Sequence, residues 1–162
     1  ADYWRSLNRA GLLEGRVHVV KDQKYQIVSI GVWFEAGTIC FKRSDAQCAL
    51  GFNDFFAKLT PETREWWSKA RRSHDVNNLK EKAHRWWCAN PATDPEYQGR
   101  GYATRIVQQA LKDAKENGCT LGLATGPEHN VQKYLAMGFR KRSQGPMPSP
   151  TGDFIIHLLS KP

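Results

Sequence analysis

Between residues 94 and 104 the chain reads DPEYQGRGYAT. Gly99 and Gly101 flank Arg100, Gln98 precedes them, and Tyr102, Ala103 and Thr104 lead into helix-forming sequence. That combination suits an anion. The first turn of a helix leaves backbone N–H groups without intrahelical partners and carries partial positive charge. Glycine lets the backbone close on a ligand and makes positive φ cheap. The guanidinium adds a full charge. The stretch therefore reads as a phosphate cradle at a helix N-terminus. The plain alternative is a tight strand-to-helix turn that holds nothing. A dinucleotide fingerprint is disfavoured, since only G-x-G is present, no third glycine follows and no acidic residue closes a second strand. The absence of G-x-x-x-x-G-K-[ST] excludes a P-loop.

Several elements must position this cradle. Ala103, Ile106, Val107, Ala110, Leu111 and Ala114 fall on one helical face, and Gly118 ends that helix. Residues 83–93 (AHRWWCANPAT) predict a strand with a break near Pro91, so the cradle follows a strand end. Downstream, Cys119–Ala124 predicts a short buried strand and Asn130–Met137 a helix closed by Gly138. Phe139–Arg142 and Phe154–Leu159 are the last expected strands, joined by the loop GPMPSPTG. At the N-terminal side, residues 2–14 predict a helix with Trp4, Leu7 and Leu12 on one side. Strands Arg16–Lys21 and Tyr25–Phe34 follow, joined by the turn Lys21-Asp22-Gln23-Lys24. The stretch 38–82 does not alternate. Thr60-Pro61 marks a helix start, giving a helix over 61–72, with a shorter one at Asn53–Lys58. The order is that of a mixed α/β domain with one sheet.

Composition narrows the function classes. A chain of 162 residues has a one-domain length. No apolar run approaches the ~18 residues of a membrane span, and no signal-peptide pattern opens the chain. It begins at Ala1, which is expected either of a processed N-terminus or of a fragment. Cys40, Cys48, Cys88 and Cys119 are scattered without a C-x-x-C pair, the pattern of reduced thiols in a cytoplasmic compartment and not of a disulfide framework or a metal site. The net charge of +8 calls for an anionic partner or a solvated basic surface. Nucleic acid ranks low among such partners. The run Ala70-Arg71-Arg72-Ser73-His74 is too short to carry it, and no strand interleaves aromatic with basic residues.

Two motifs carry a resemblance. Gln98-x-x-Gly101-x-Ala103 resembles the Q/R-x-x-G-x-G/A pyrophosphate loop of the GNAT N-acetyltransferases. ATDPEY before it is similar to that family's approach strand, and NVQKYLAMGF (130–139) to its N-x-x-x-Y-x-x-x-G-F segment. The likeness spans residues 83–162, with 16–37 as the preceding hairpin. It implies a mixed, mostly antiparallel sheet flanked by helices, and one acetyltransferase domain over 1–162. A helical insertion at about 38–82 is expected, and the family's usual first strand and helix are expected to be missing or atypical. It implies transfer of an acetyl group from acetyl-coenzyme A to a primary amine of a small molecule or peptide, by direct attack in a ternary complex. The backbone of Gly99, Arg100, Gly101, Tyr102 and Ala103 would hold the pyrophosphate, with the Arg100 side chain and the Thr104 hydroxyl assisting. Gln98 belongs to the same loop. Pro91, Ala92 and Thr93 would pair with the pantetheine arm as an added strand does. Asn130 would contact that arm, and Tyr134 would protonate the leaving thiolate. On residue type alone, an aromatic on that helix reads as core packing, and the flanking Asn130 and Gly138-Phe139 turn the reading toward the acid role.

Two departures bear on activity. Family members commonly polarise the acetyl carbonyl with the amide at the Pro91 position, and proline has no N–H. Many carry a glutamate base at the Ala124 position. A base is needed, because an ammonium of pKa ~10.4 is neutral only about once in ~2500 at pH 7, ~4.6 kcal/mol uphill. His84, His129, His157 or a water relay are the candidates. Trp66, Trp67, Trp86 and Trp87, with Phe52, Phe55 and Phe56, read as core and lid packing, or as an apolar wall for a bulky amine. A coenzyme-binding module with weak or no catalysis is the alternative that Pro91 and Ala124 favour.

Overall fold

The computed structural model describes residues 2–38, 40–41, 44–76 and 84–162, with side chains of 71–76 excepted. The expected strand residue Ala83, the 77–83 part of the long connection and the side chains of Arg71, Arg72, Ser73 and His74 lie outside the described residues. The first helix, α1 (Asp2–Glu14), buries Ser6, Leu7, Ala10 and Gly11. Trp4 (52% exposed) and Leu12 (74%) face outward, against the sequence expectation. Leu7 and the small residues beside it set the contact: a Cβ on Gly11 would lie 2.3 Å from Val32 Cγ1, so the helix sits directly on the sheet.

Strands β1 (Arg16–Lys21) and β2 (Ile27–Phe34) form an antiparallel hairpin. A short helix α2 (Asp45–Gln47), a π-helical turn (Cys48–Phe52), α3 (Asn53–Ala57) and α4 (Pro61–Val76) fill the connection that does not alternate. Next come β3 (Arg85–Thr93), α5 (Tyr102–Glu116), β4 (Thr120–Thr125), α6 (Glu128–Ala136), β5 (Arg140–Met147) and β6 (Phe154–Lys161). Gly145, Pro146 and Met147, expected in a loop, pair with β6. The six strands make one sheet in the order β1-β2-β3-β4-β6-β5. Every neighbouring pair is antiparallel except β3–β4. Among the described residues, no helix is long and apolar enough to cross a membrane.

Each face of the sheet has its own core. Helices α5 and α6 cover one with Ile106, Val107, Ala110 and Val131 against Trp33, Trp86, Leu121, Leu123 and Leu159. On the other face, Leu7 and Ala10 of α1 meet Val32, Phe34, Phe41 and Phe52. The aromatic residues therefore do not form one cluster: Trp86 lies under α5 and α6, whereas Trp67 packs edge-on against Tyr3 and Phe55. Trp66 Nε1 donates to the Pro148 carbonyl and ties α4 to the segment after β5.

Two details shape the centre of the sheet. β3 and β4 pair only at Arg85↔Thr120, Trp86↔Leu121 and Trp87↔Gly122. Beyond them β3 stays with β2 and β4 with β6, so the two strands part toward their C-terminal ends. The second detail corrects the expected break at Pro91, through which β3 runs unbroken. Asp94 N–H donates to Val28 O at 2.9 Å, and antiparallel alternation puts Ala92 and Asn90 in the same phase, bonded toward β2. Pro91 and Thr93 then present their backbone to the opening. Proline's missing N–H costs the β2–β3 ladder nothing.

Candidate active site

Strands β2 and β3, the loop between β3 and α5, the first two turns of α5 and one face of α6 line a cavity of ≈ 600 Å³. Pro91, Ala92 and Thr93 line it from β3, and Gln98, Gly99, Gly101, Tyr102, Ala103 and Thr104 from the loop and first turn of α5. Asn130 and Tyr134 line it from α6, and its floor is apolar, with Trp33, Ile106, Val107 and Met137.

The loop adopts the conformation its glycines allow. Gly99 and Gly101 have φ of 75° and 77°, and a Cβ on either would meet nothing within 4 Å, so backbone conformation and not crowding selects glycine there. Gly101 is the N-cap of α5, and no side chain caps that helix. The first intrahelical bond runs from Arg105 N–H to Gly101 O at 3.0 Å. Among the described residues, the N–H groups of Gly99, Arg100, Gly101, Tyr102, Ala103 and Thr104 have no acceptor. They form a run of donors at the positive end of a helix dipole, bordering the cavity.

Neighbouring contacts fix the loop. Gln98 Nε2 donates to Thr93 O (3.2 Å), and the Thr93 hydroxyl meets Ser29 Oγ at 2.8 Å. Tyr97 donates its hydroxyl to Asp22 Oδ2 (2.9 Å), joining the loop to the β1–β2 turn. Lys24 and Gln26 N–H groups bond the other oxygen of Asp22, and these bonds hold that carboxyl below its ordinary range. Arg100 departs from expectation. Its Nη2 donates to Glu96 O (3.0 Å) and its guanidinium lies 4.9 Å from the Tyr97 ring centroid, so it is turned away from the cavity lining. The cation that does line the cavity is Lys133, which sequence reasoning missed. The signal was present: Asn130, Lys133, Tyr134 and Met137 fall at i, i+3, i+4 and i+7, one helical face.

Tyr134 is partly buried, edge-on to Phe139 at 5.6 Å between centroids and 70° between planes. No hydrogen-bond partner holds its hydroxyl among the described residues. Burial, and then the neighbouring Cys88 thiol, push the phenol well above its ordinary value of about 10. Burial raises Cys88 too. Both keep their protons at neutral pH.

The histidines are not gathered here. His84 lies at the closed end of β3, where its carbonyl accepts from Thr120 N–H (3.0 Å). The strand from there to Pro91 spans roughly 23 Å, which removes His84 as a base for this cavity. His129 is exposed on α6. His157 is buried, with Nε2 3.4 Å from Glu128 Oε2 and Nδ1 unpartnered among the described residues, and it does not line the cavity.

The donor run, the open edge of β3 and the apolar floor suit an elongated ligand with a phosphorylated end. A family model for the acetyltransferase (GNAT) family matches residues 52–139. The chain belongs to the GNAT acetyltransferase family. Membership makes it an acetyltransferase with acetyl-coenzyme A as cosubstrate. No curated protein sequence matches the chain. Solved structures share its fold. A Bacillus subtilis acetyltransferase in complex with CoA is 14% identical with a TM-score of 0.56, the match covering 99% of this chain and 85% of that one. A GNAT acetyltransferase from Elizabethkingia anophelis with acetyl-CoA bound is 14% identical with a TM-score of 0.54, over 99% and 84% of the two chains. The ribosomal-protein-S18-alanine N-acetyltransferase from Escherichia coli is 11% identical with a TM-score of 0.54, over 92% and 69%. The mixed, mostly antiparallel GNAT sheet expected from the two motifs is therefore the fold observed.

Proposed function

We propose that this GNAT protein transfers the acetyl group of acetyl-coenzyme A to a primary amine of a small molecule or peptide by direct attack in a ternary complex. The observation that carries the reading is the run of unpaired N–H groups from Gly99 to Thr104 at the mouth of a ≈ 600 Å³ cavity that extends along the Pro91–Thr93 edge of β3. Those donors would take the pyrophosphate. The gap-facing backbone of Thr93 and Pro91, with Asn130, would hold the pantetheine arm. Thr93 keeps its N–H for that pairing while its carbonyl already accepts from Gln98 Nε2, and Pro91 offers only its carbonyl.

In the transfer the amine nitrogen bonds to the thioester carbon, the carbon–sulfur bond breaks, the thiolate takes the phenolic proton of Tyr134, and the proton that the attacking nitrogen sheds on becoming an amide returns the phenolate to phenol. From reference values, phenol to thiolate is uphill by ~2 kcal/mol. Burial that raises the phenol acts in the same direction on a thiolate at the same depth, which leaves that difference at ~2 kcal/mol. The ammonium must first lose a proton. A water relay is the proposed base, supported by the placement of His84, His129 and His157 away from the cavity lining. The domain reading stands with the same proposal: one acetyltransferase domain in which α2 to α4 replace a short connection and flank the acceptor side. A reducing, cytoplasmic setting is proposed on the free thiols of Cys40, Cys48, Cys88 and Cys119.

A second reading, a coenzyme-binding module without catalysis, has one specific support: Pro91 removes a donor at a gap-facing position, and Ala124 supplies no base. One experiment separates the two. Acetyl-coenzyme A should raise the melting temperature, with ~2.7 kcal/mol of stabilisation at ~100 times its Kd. Thiol release with polyamines, amino acids, aminoglycosides and lysine peptides then reports turnover. Stabilisation without amine-dependent thiol release selects the second reading. No stabilisation at millimolar coenzyme refutes both.

A further inference from the structure

We propose that the ammonium of Lys133 binds a phosphate group of the donor nucleotide, across the cavity from the N-terminus of α5. The proposal rests on the coenzyme reading above and assigns a charge that reading leaves open. Coenzyme A carries several negative charges on its pyrophosphate and 3′-phosphate. The α5 N-terminus offers neutral N–H groups and only about half a unit of positive charge. Arg100, the cation of the loop, is occupied by Glu96 O and the Tyr97 ring. Among the described residues, Lys133 is the one cationic side chain lining the cavity, and no carboxylate pairs with it. It sits one turn after Asn130 and directly before Tyr134, on the face of α6 that lines the cavity. An unpaired ammonium there meets an incoming phosphate without breaking an existing ion pair. Lysine binds phosphate as a point charge, so arginine should substitute for it.

Either phosphate supplies this chemistry, and truncated coenzyme distinguishes them. Binding of coenzyme A and of dephospho-coenzyme A, which lacks the 3′-phosphate, would be measured calorimetrically at low and at 0.5 M salt. The proteins are the wild type, Lys133→Gln and Lys133→Arg. Lys133→Gln should weaken coenzyme A roughly tenfold at low salt, the size of one charge-assisted bond on an exposed group, and Lys133→Arg should stay near wild type. The difference should shrink at high salt. A penalty that disappears with dephospho-coenzyme A identifies the 3′-phosphate as the bound group, and one that persists identifies the pyrophosphate. Unchanged coenzyme affinity in Lys133→Gln, with the wild type binding normally, overturns the assignment to Lys133 alone. A wild type that binds neither coenzyme overturns the coenzyme reading and this proposal with it.

Discussion

Gly31→Ala tests how closely α5 must lie on the sheet for the site to exist. A Cβ at residue 31 would stand 2.5 Å from Ile106 Cγ2 and 3.0 Å from Trp33 Nε1. Carbon atoms in comfortable contact are ~3.5–4.0 Å apart, so about 1 Å must be recovered. Ile106 cannot turn aside, because a β-branched side chain in a helix has one strongly preferred χ1. Trp33 is fully buried and equally held. The backbone of α5 has to move. Overpacking of this kind costs about 1–3 kcal/mol, and a chain of this size loses ~2–4 °C per kcal/mol, so the melting temperature should fall by ~2–12 °C. Ile106 lies in the second turn of α5, and its shift carries the N–H groups of Tyr102, Ala103 and Thr104 away from Thr93. Misplacement by ~1 Å can cost on the order of 10²-fold in rate, so kcat/KM for acetyl-coenzyme A should fall more than stability alone explains. Gly122→Ala is the control. Its Cβ would come within 2.3 Å of Arg85 Cδ, a larger overlap on paper. That atom belongs to a long, flexible side chain, and the ring atom nearest to it, Trp87 Cε3 at 3.1 Å, overlaps far less than Ile106 does, so the expected loss is smaller. Calorimetry and steady-state kinetics on both variants decide. If Gly31→Ala melts no lower than Gly122→Ala, the close seating of α5 is not what that glycine provides.

Other perturbations read single features. Tyr134→Phe keeps the ring against Phe139 and removes only the hydroxyl, so kcat should drop by ~10²–10⁴ with little change in melting temperature, and near-normal turnover would remove Tyr134 from the proton transfer. Gly101→Asn and Gly101→Asp bear similar backbone strain at a φ of 77°, yet the aspartate should bind coenzyme at least roughly tenfold more weakly, and equal affinities would place the phosphates elsewhere. Hydrogen bonds from His18 (2.8 Å) and Gln109 (2.7 Å) hold the Asp113 carboxyl below its ordinary value of 3.8. A lowered carboxyl stabilises the fold above its unfolded value and loses that contribution as pH falls through the folded one, so Asp113→Asn should flatten the melting curve's decline below about pH 4. Alkylation should label the partly exposed Cys40 and Cys48 first, and reach Cys88 only on unfolding, because burial holds that thiol protonated.

Local chemistry made part of this protein legible from its residues alone. The glycines at 99 and 101, the apolar period from Ala103 to Ala114 and the Asn130–Tyr134–Gly138 spacing are short-range signals, and they locate a helix mouth and a facing helix without long-range information. The same holds for the β1–β2 hairpin, whose turn is closed by Asp22. Pairing between distant segments decided the rest. That β3 and β4 separate after Trp87 and Gly122 depends on which strands flank them, and a sequence carries no local mark of an opening between two strands. Pro91 reads as a break from sequence because its missing N–H is costly in a ladder, yet the register with β2 turns that position toward the gap, where the ladder loses nothing. Trp4 and Leu12 face outward because α1 seats through Leu7, Ala10 and Gly11, and close approach at Gly11 favours the smallest side chains over the most apolar ones. Arg100 leaves the place expected of it, and Lys133 fills a place no expectation gave it, for a reason visible only in three dimensions. Asp22 pins Tyr97, Tyr97 and Glu96 hold Arg100, and the lysine on α6 is left as the cation facing the cavity.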